Sequence, residues 1–121
     1  MIQIDYKDNR PIYEQIVEKF KTLILKGILP TDSKMPSVRS LAMDLSINPN
    51  TIQKAYAQLE REGFLYTVKG RGYFVAENED LVMEKQNELL EKFRILVHEA
   101  KELGIDSEQL IALCKEKEET K

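Results

Sequence analysis

The segment "NPNTIQKAYAQLER", Asn48 to Arg61, carries amide, amine and guanidinium groups at one repeated interval, with the hydroxyl of Thr51 beside them. Asn50, Gln53, Lys54, Ala57, Gln58 and Arg61 follow at i, i+3, i+4, i+7, i+8 and i+11, a spacing that gathers side chains on one face of a helix. Ile52, Ala55, Leu59 and, in part, Tyr56 form the opposite, buried face. Amides pair bidentately with adenine, Lys and Arg reach guanine, and the methyl group of Thr51 can meet that of thymine. Asn50, Thr51, Gln53 and Lys54 are therefore a set able to read base edges. They sit at the helix N-terminus, where the dipole also favours phosphate. The ordinary reading of the same residues is a solvated first turn, with Asn48 as N-cap and with Lys54 and Arg61 paired to Glu60 or nearby acids. Residue type and spacing leave both readings open.

A base-reading helix needs elements that hold it. Upstream, Ser37 can cap a short helix that buries Val38, Leu41, Ala42 and Leu45 and turns Arg39 away from the core. Asn48 then caps the next helix with Pro49 at its first position, so the connection is short enough to force a steep crossing, as in a helix-turn-helix. An earlier helix is expected from Arg10, with Pro11 in its first turn, Ile12, Ile16, Phe20, Leu23 and Ile24 on one face, and Gly27 as a left-handed stop. "IQI" at 2–4 alternates like a short strand. Beyond Gly63, "FLYTV" and "YFV" flank "KGRG", Lys69 to Gly72, which reads as a hairpin with a glycine-rich tip. Lys69 and Arg71 on that tip, like Arg39, are placed to reach phosphates or the minor groove. The expected fold is mostly α with a small β-hairpin, a winged helix-turn-helix over residues 1–76 followed by a two-helix dimerisation tail over 77–121.

The formal net charge of −3 would seem to oppose a polyanion partner, but it is unevenly spread. Residues 1–76 hold 11 Lys and Arg against 8 Asp and Glu, a net of +3, while 77–121 hold 7 against 13, a net of −6. Acids of the tail lying farther from a bound duplex than a Debye length of about 8–10 Å would be screened from it. No apolar run approaches the length of a membrane span, and the start lacks the basic and apolar regions of an export signal, so a cytoplasmic location is expected. The single Cys114 is expected to be a small buried hydrophobe. One His, His98, cannot form a metal cluster and is expected at the surface or an interface, and no GxSxG, HExxH or P-loop pattern sets a nucleophile beside a base. These absences argue against an enzyme and imply no cofactor. The competing class is a protein-interaction module, since winged helices also serve as docking surfaces.

The tail has its own logic. Leu89, Phe93, Leu96, Ala100 and Leu103 recur at +4, +3, +4 and +3, a heptad seam, and Gly104 ends that helix. Asp106 and Gln109 form a capping box for a last helix carrying Leu110, Ile111, Leu113 and Cys114. Two such helices cannot hide both apolar stripes by themselves, so the expected partner is the same pair from a second chain, in a homodimer; the alternative is a monomer in which they fold back on their own winged helix. Forty-five residues can hardly enclose an effector pocket, although a small site between helices at the dimer interface stays open.

The pieces "PIYEQI", "MPSVRSLA", "NPNTIQKAY", "LEREG" and "GRGYFV" occur together and in order between Arg10 and Ala76. This stretch resembles the DNA-binding domain of the GntR family of bacterial transcription regulators, and the short helical tail resembles the YtrA-type subfamily. The resemblance implies double-stranded DNA as partner, a regulatory role and ABC-transporter operons as targets, while the expected homodimer, with two recognition helices on one face, calls for a palindromic operator with half-sites about 10 base pairs apart. It implies that Arg39 contacts phosphate or base, that "NPNT" with Gln53 and Lys54 is the reading end, and that Gly70 and Arg71 form the wing tip. Pro49 and Gln53 stand where many family members carry Arg, so the base preference does not carry over from better-known subfamilies.

Overall fold

The computed structural model describes residues 2–119. Its first helix, α1 (Ile12–Leu25), begins later than Arg10 because the residues before it are occupied with one another. The Arg10 backbone N–H donates to the Asp8 carboxylate at 2.9 Å and the guanidinium donates at 2.8 Å, which also holds the Asp8 carboxyl below its ordinary pKa. Pro11 stands at the N-cap position, one residue outside the helix. The segment "IQI" is not a strand. Ile2 is buried in the core, and the chain at Asp5 is tied down by the side chain of Gln15 instead of by a neighbouring strand. The Asp5 N–H donates to Gln15 Oε1 and Gln15 Nε2 donates to the Asp5 carbonyl, both at 3.0 Å, which satisfies this buried amide.

Side-chain caps open the next two helices. Ser37 Oγ accepts the Ser40 N–H at 3.0 Å at the start of α2 (Val38–Leu45). Asn48 Oδ1 accepts the Asn50 N–H at 2.8 Å, and Pro49 takes the first position of α3 (Pro49–Arg61). Between them Ser46 adopts a left-handed φ of 55°, which closes α2 and reverses the chain within a few residues. After Gly63 (φ 87°) the chain enters an antiparallel hairpin of β1 (Leu65–Val68) and β2 (Gly72–Val75), with Leu65 opposite Val75 and Thr67 opposite Tyr73. The outer edge of β2 is covered by the loop before α2. The Met35 N–H donates to the Tyr73 carbonyl at 2.9 Å, the Val75 N–H to the Ser33 carbonyl at 2.9 Å and the Asp32 N–H to the Val75 carbonyl at 2.7 Å.

The core draws on every one of these elements. Ile16, Phe20 and Ile24 of α1, Leu41 and Ala42 of α2, Ile52, Ala55 and Leu59 of α3, and Leu65 and Val75 of the hairpin are buried together. Tyr56 is wholly buried, not partly, because rings from α1 and β2 close over it. Fully burying an apolar side chain is worth about 1.5–3 kcal/mol, so this shared core holds the small hairpin against the helices.

The described residues divide into two compact units between Val82 and Met83. The first continues past Ala76 because Leu81 packs on its core, with methyl carbons 3.8 and 3.9 Å from where a side chain on Gly63 would begin. The second contains most of α4 (Glu79–Glu102) and all of α5 (Ser107–Glu119). Gly104, at φ 83°, ends the turn after α4, and the Asp106–Gln109 capping box forms in both directions at 3.1 and 2.8 Å. Ala100 is the one buried residue of α4. Cys114 is exposed rather than buried, because the apolar groove that it lines with Phe93, Leu96 and Ile111 is itself open to solvent within the second unit.

Candidate nucleic-acid interface

Three elements that carry the polar groups meet at Tyr56. Its ring stands edge-on to Phe20 of α1 at 5.9 Å and to Tyr73 of β2 at 5.1 Å, and its hydroxyl donates to the Pro36 carbonyl, just before α2, at 2.8 Å. Burial pushes the Tyr56 hydroxyl well above its ordinary pKa, so it stays protonated and remains a donor. One residue of α3 thus fixes the recognition-type helix against both the start of α2 and the wing.

The predicted residues fall into three groups around this junction. Ser37 and Asn48 spend their side-chain oxygens as caps. Arg39, Asn50, Lys69, Gly70 and Arg71 are exposed, and among the described residues the side chains of Arg39, Lys69 and Arg71 enter no ion pair or hydrogen bond. Such free cations can accept phosphate at no cost in broken contacts. The wing tip is a tight turn, closed by the Arg71 N–H on the Val68 carbonyl at 2.9 Å, with Gly70 at φ 79° and open space around it. Thr51 is half-buried in the first turn of α3.

Gln53 and Lys54 form the third group, exposed yet engaged by tyrosines. Gln53 Nε2 donates to the Tyr73 hydroxyl at 2.8 Å. The Lys54 ammonium lies 3.9 Å from the centroid of the Tyr13 ring of α1, a cation–π contact, and is not paired with Glu60. Glu60 instead accepts a hydrogen bond from the Thr67 hydroxyl of β1. Tyr13 and Tyr73 thus join the site, although neither lies within the helix-turn-helix or at the wing tip. The available signal was the alternation in β2, where Val75 faces the core and Tyr73, two residues earlier, lies on the same face of the strand beside α3.

A short-turn helix pair whose second helix exposes polar side chains beside a cationic β-hairpin tip defines a winged helix-turn-helix. The chain belongs to the GntR family: the family model described as "Bacterial regulatory proteins, gntR family" matches residues 12–75. It is 45% identical over 118 residues to the HTH-type transcriptional repressor YtrA of Bacillus subtilis (strain 168), a match covering 96% of this chain and 91% of that protein. Among solved structures it resembles a GntR family transcriptional regulator from Listeria monocytogenes, at 38% identity and a TM-score of 0.73, over 93% of this chain and 98% of that one. It also resembles AraR(DBD) crystallised in complex with operator ORE1, at 32% identity and a TM-score of 0.54, over 61% of this chain and 90% of that one. This is a family of regulators, not of enzymes.

Proposed function

We propose that this chain is a sequence-specific DNA-binding repressor that acts as a homodimer on a palindromic operator. The observation that carries the reading is the junction at Tyr56, which ties the exposed polar face of α3 to the start of α2 and to the wing. On this reading Asn50, Thr51, Gln53 and Lys54 face base edges in the major groove, while Arg39, Lys69 and Arg71 hold phosphates and set the register. Ser37 and Asn48 contribute through the helix N-termini they cap, whose remaining N–H groups favour phosphate. The solved operator complex of AraR supports the same use of a similar domain. ABC-transporter operons are the proposed targets, following the YtrA-type resemblance, and the protein works in the cytoplasm, where its operator is. Among the described residues no helix is long and apolar enough to cross a membrane.

The tail supplies the second half of the proposal. Leu89, Leu90, Phe93, Ile95, Leu96, Leu103, Ile111 and Leu113 are exposed large hydrophobics of the second unit, a concentration uncommon on a lone soluble surface. A second copy covers them most economically, with Leu89, Phe93, Leu96, Ala100, Leu103 and Leu110 in the interface. A two-fold dimer carries two copies of α3, so the half-sites should lie about 10 base pairs apart, one turn of DNA. Selection of bound sequences from a pool of random duplexes tests this reading. An enriched inverted repeat with that spacing is expected; a pool that stays random would remove DNA reading from the account and leave a protein-docking role.

A further inference from the structure

We propose that Tyr73 is the positioning residue for base reading by Gln53, a wing side chain that sets the geometry of an amide on α3. The inference rests on the DNA-binding reading above and goes beyond it by assigning specificity to a residue outside the recognition helix. A free glutamine has three rotatable side-chain bonds and would lose that freedom on meeting a base. Here the amide is already anchored, Nε2 donating to the Tyr73 hydroxyl at 2.8 Å. The anchor is itself fixed. Tyr73 stands edge-on to the buried Tyr56 at 5.1 Å, Tyr56 stands edge-on to Phe20, and the Tyr73 carbonyl accepts the Met35 N–H at 2.9 Å. The row of rings ties the half-buried Tyr73 ring to the core, which holds its hydroxyl beside α3.

The hydrogen-bond arithmetic of the amide fits this role. Nε2 carries two protons and Oε1 two lone pairs, and the tyrosine consumes one proton. One donor and the acceptor remain, which is the pair that adenine N7 and N6 require. Without the hydroxyl, Gln53 keeps the same groups but not their orientation. Loss of the hydroxyl should therefore erode discrimination at one base pair and leave general DNA affinity alone. A purely structural tyrosine would instead lower stability or affinity evenly.

The test uses the full chain and the duplex enriched by selection, with each base pair of a half-site replaced in turn. Wild type, Tyr73→Phe, Gln53→Ala and the double variant are compared by fluorescence anisotropy, with thermal midpoints measured in parallel. Gln53→Ala should lose about tenfold discrimination at one position, which identifies the base pair it reads. Tyr73→Phe, which keeps the ring on Tyr56, should lose several-fold at that same position, with unchanged affinity for random duplex and an unchanged midpoint. The double variant should lose no more than Gln53→Ala alone, the signature of two residues acting as one. Discrimination by Tyr73→Phe equal to wild type at every position, or a loss spread evenly over the site, overturns the inference while the regulator reading stands. Failure of the wild-type chain to prefer any duplex overturns both.

Discussion

At the scale of single residues, the candidate site separates side chains with a structural duty from those without one. Arg39 and Arg71 are exposed and, among the described residues, unpaired, so replacing either with Ala should leave the fold intact and weaken operator binding. Each loss should also reduce the slope of log affinity against log salt by about one, as expected for one phosphate contact removed. Unchanged binding in both variants would sink the proposed docking. Tyr56 lies at the other extreme. Tyr56→Phe removes its bond to the Pro36 carbonyl and should cost about 1 kcal/mol in denaturant unfolding. It should also change the response to alkali. Burial raises the folded-state pKa of Tyr56 above the ordinary 10.0, so the unfolded chain loses this proton first and stability must fall as pH rises beyond 10.0. The Phe variant should show a shallower alkaline loss; an identical loss would mean that Tyr56 is not the titrating group.

At the scale of elements, what was legible in the sequence was what local chemistry decides. The caps Ser37 and Asn48, Pro49 at the start of α3 and the glycines of the hairpin act within a few residues of themselves, so the helix-turn-helix and wing are visible in the string. Partners that meet only after folding were not. "IQI" has the alternation of a strand, but the sheet among the described residues is the β1–β2 hairpin and Gln15 takes the backbone of Asp5 instead. Cys114 follows an apolar period on α5, yet that period faces a groove open to solvent in the single chain. Gln53 and Tyr73 are 20 residues apart, and nothing local announces their bond. The same distinction governs the tail. Its seam is periodic in the sequence and exposed in the structure, so Leu89→Asp with Leu96→Asp should yield monomers in sedimentation while α1 to β2 remain folded. A dimer that survived both charges would place the interface elsewhere. Asn48→Ala, which strips the cap from α3, should cost about 1 kcal/mol of stability in urea unfolding, and no change would show that Pro49 alone starts the helix.

At the scale of the whole molecule, an acidic chain can hold a polyanion because net charge is a sum and binding is local. The −3 total combines +3 over residues 1–76 with −6 over 77–121, and screening confines each charge to its neighbourhood. The free cations Arg39, Lys69 and Arg71 all belong to the first unit. Unlike a protein-docking winged helix, this chain must bind duplex DNA in a way that is both sequence-dependent and driven in large part by release of counterions. The direct test is titration of the full chain onto the selected duplex and onto a scrambled duplex of equal length, repeated from about 50 to 200 mM salt. The predicted result is an affinity for the selected duplex about a thousandfold or more above the scrambled one, falling steeply as salt rises. Equal affinities for the two duplexes, with little dependence on salt, would contradict it.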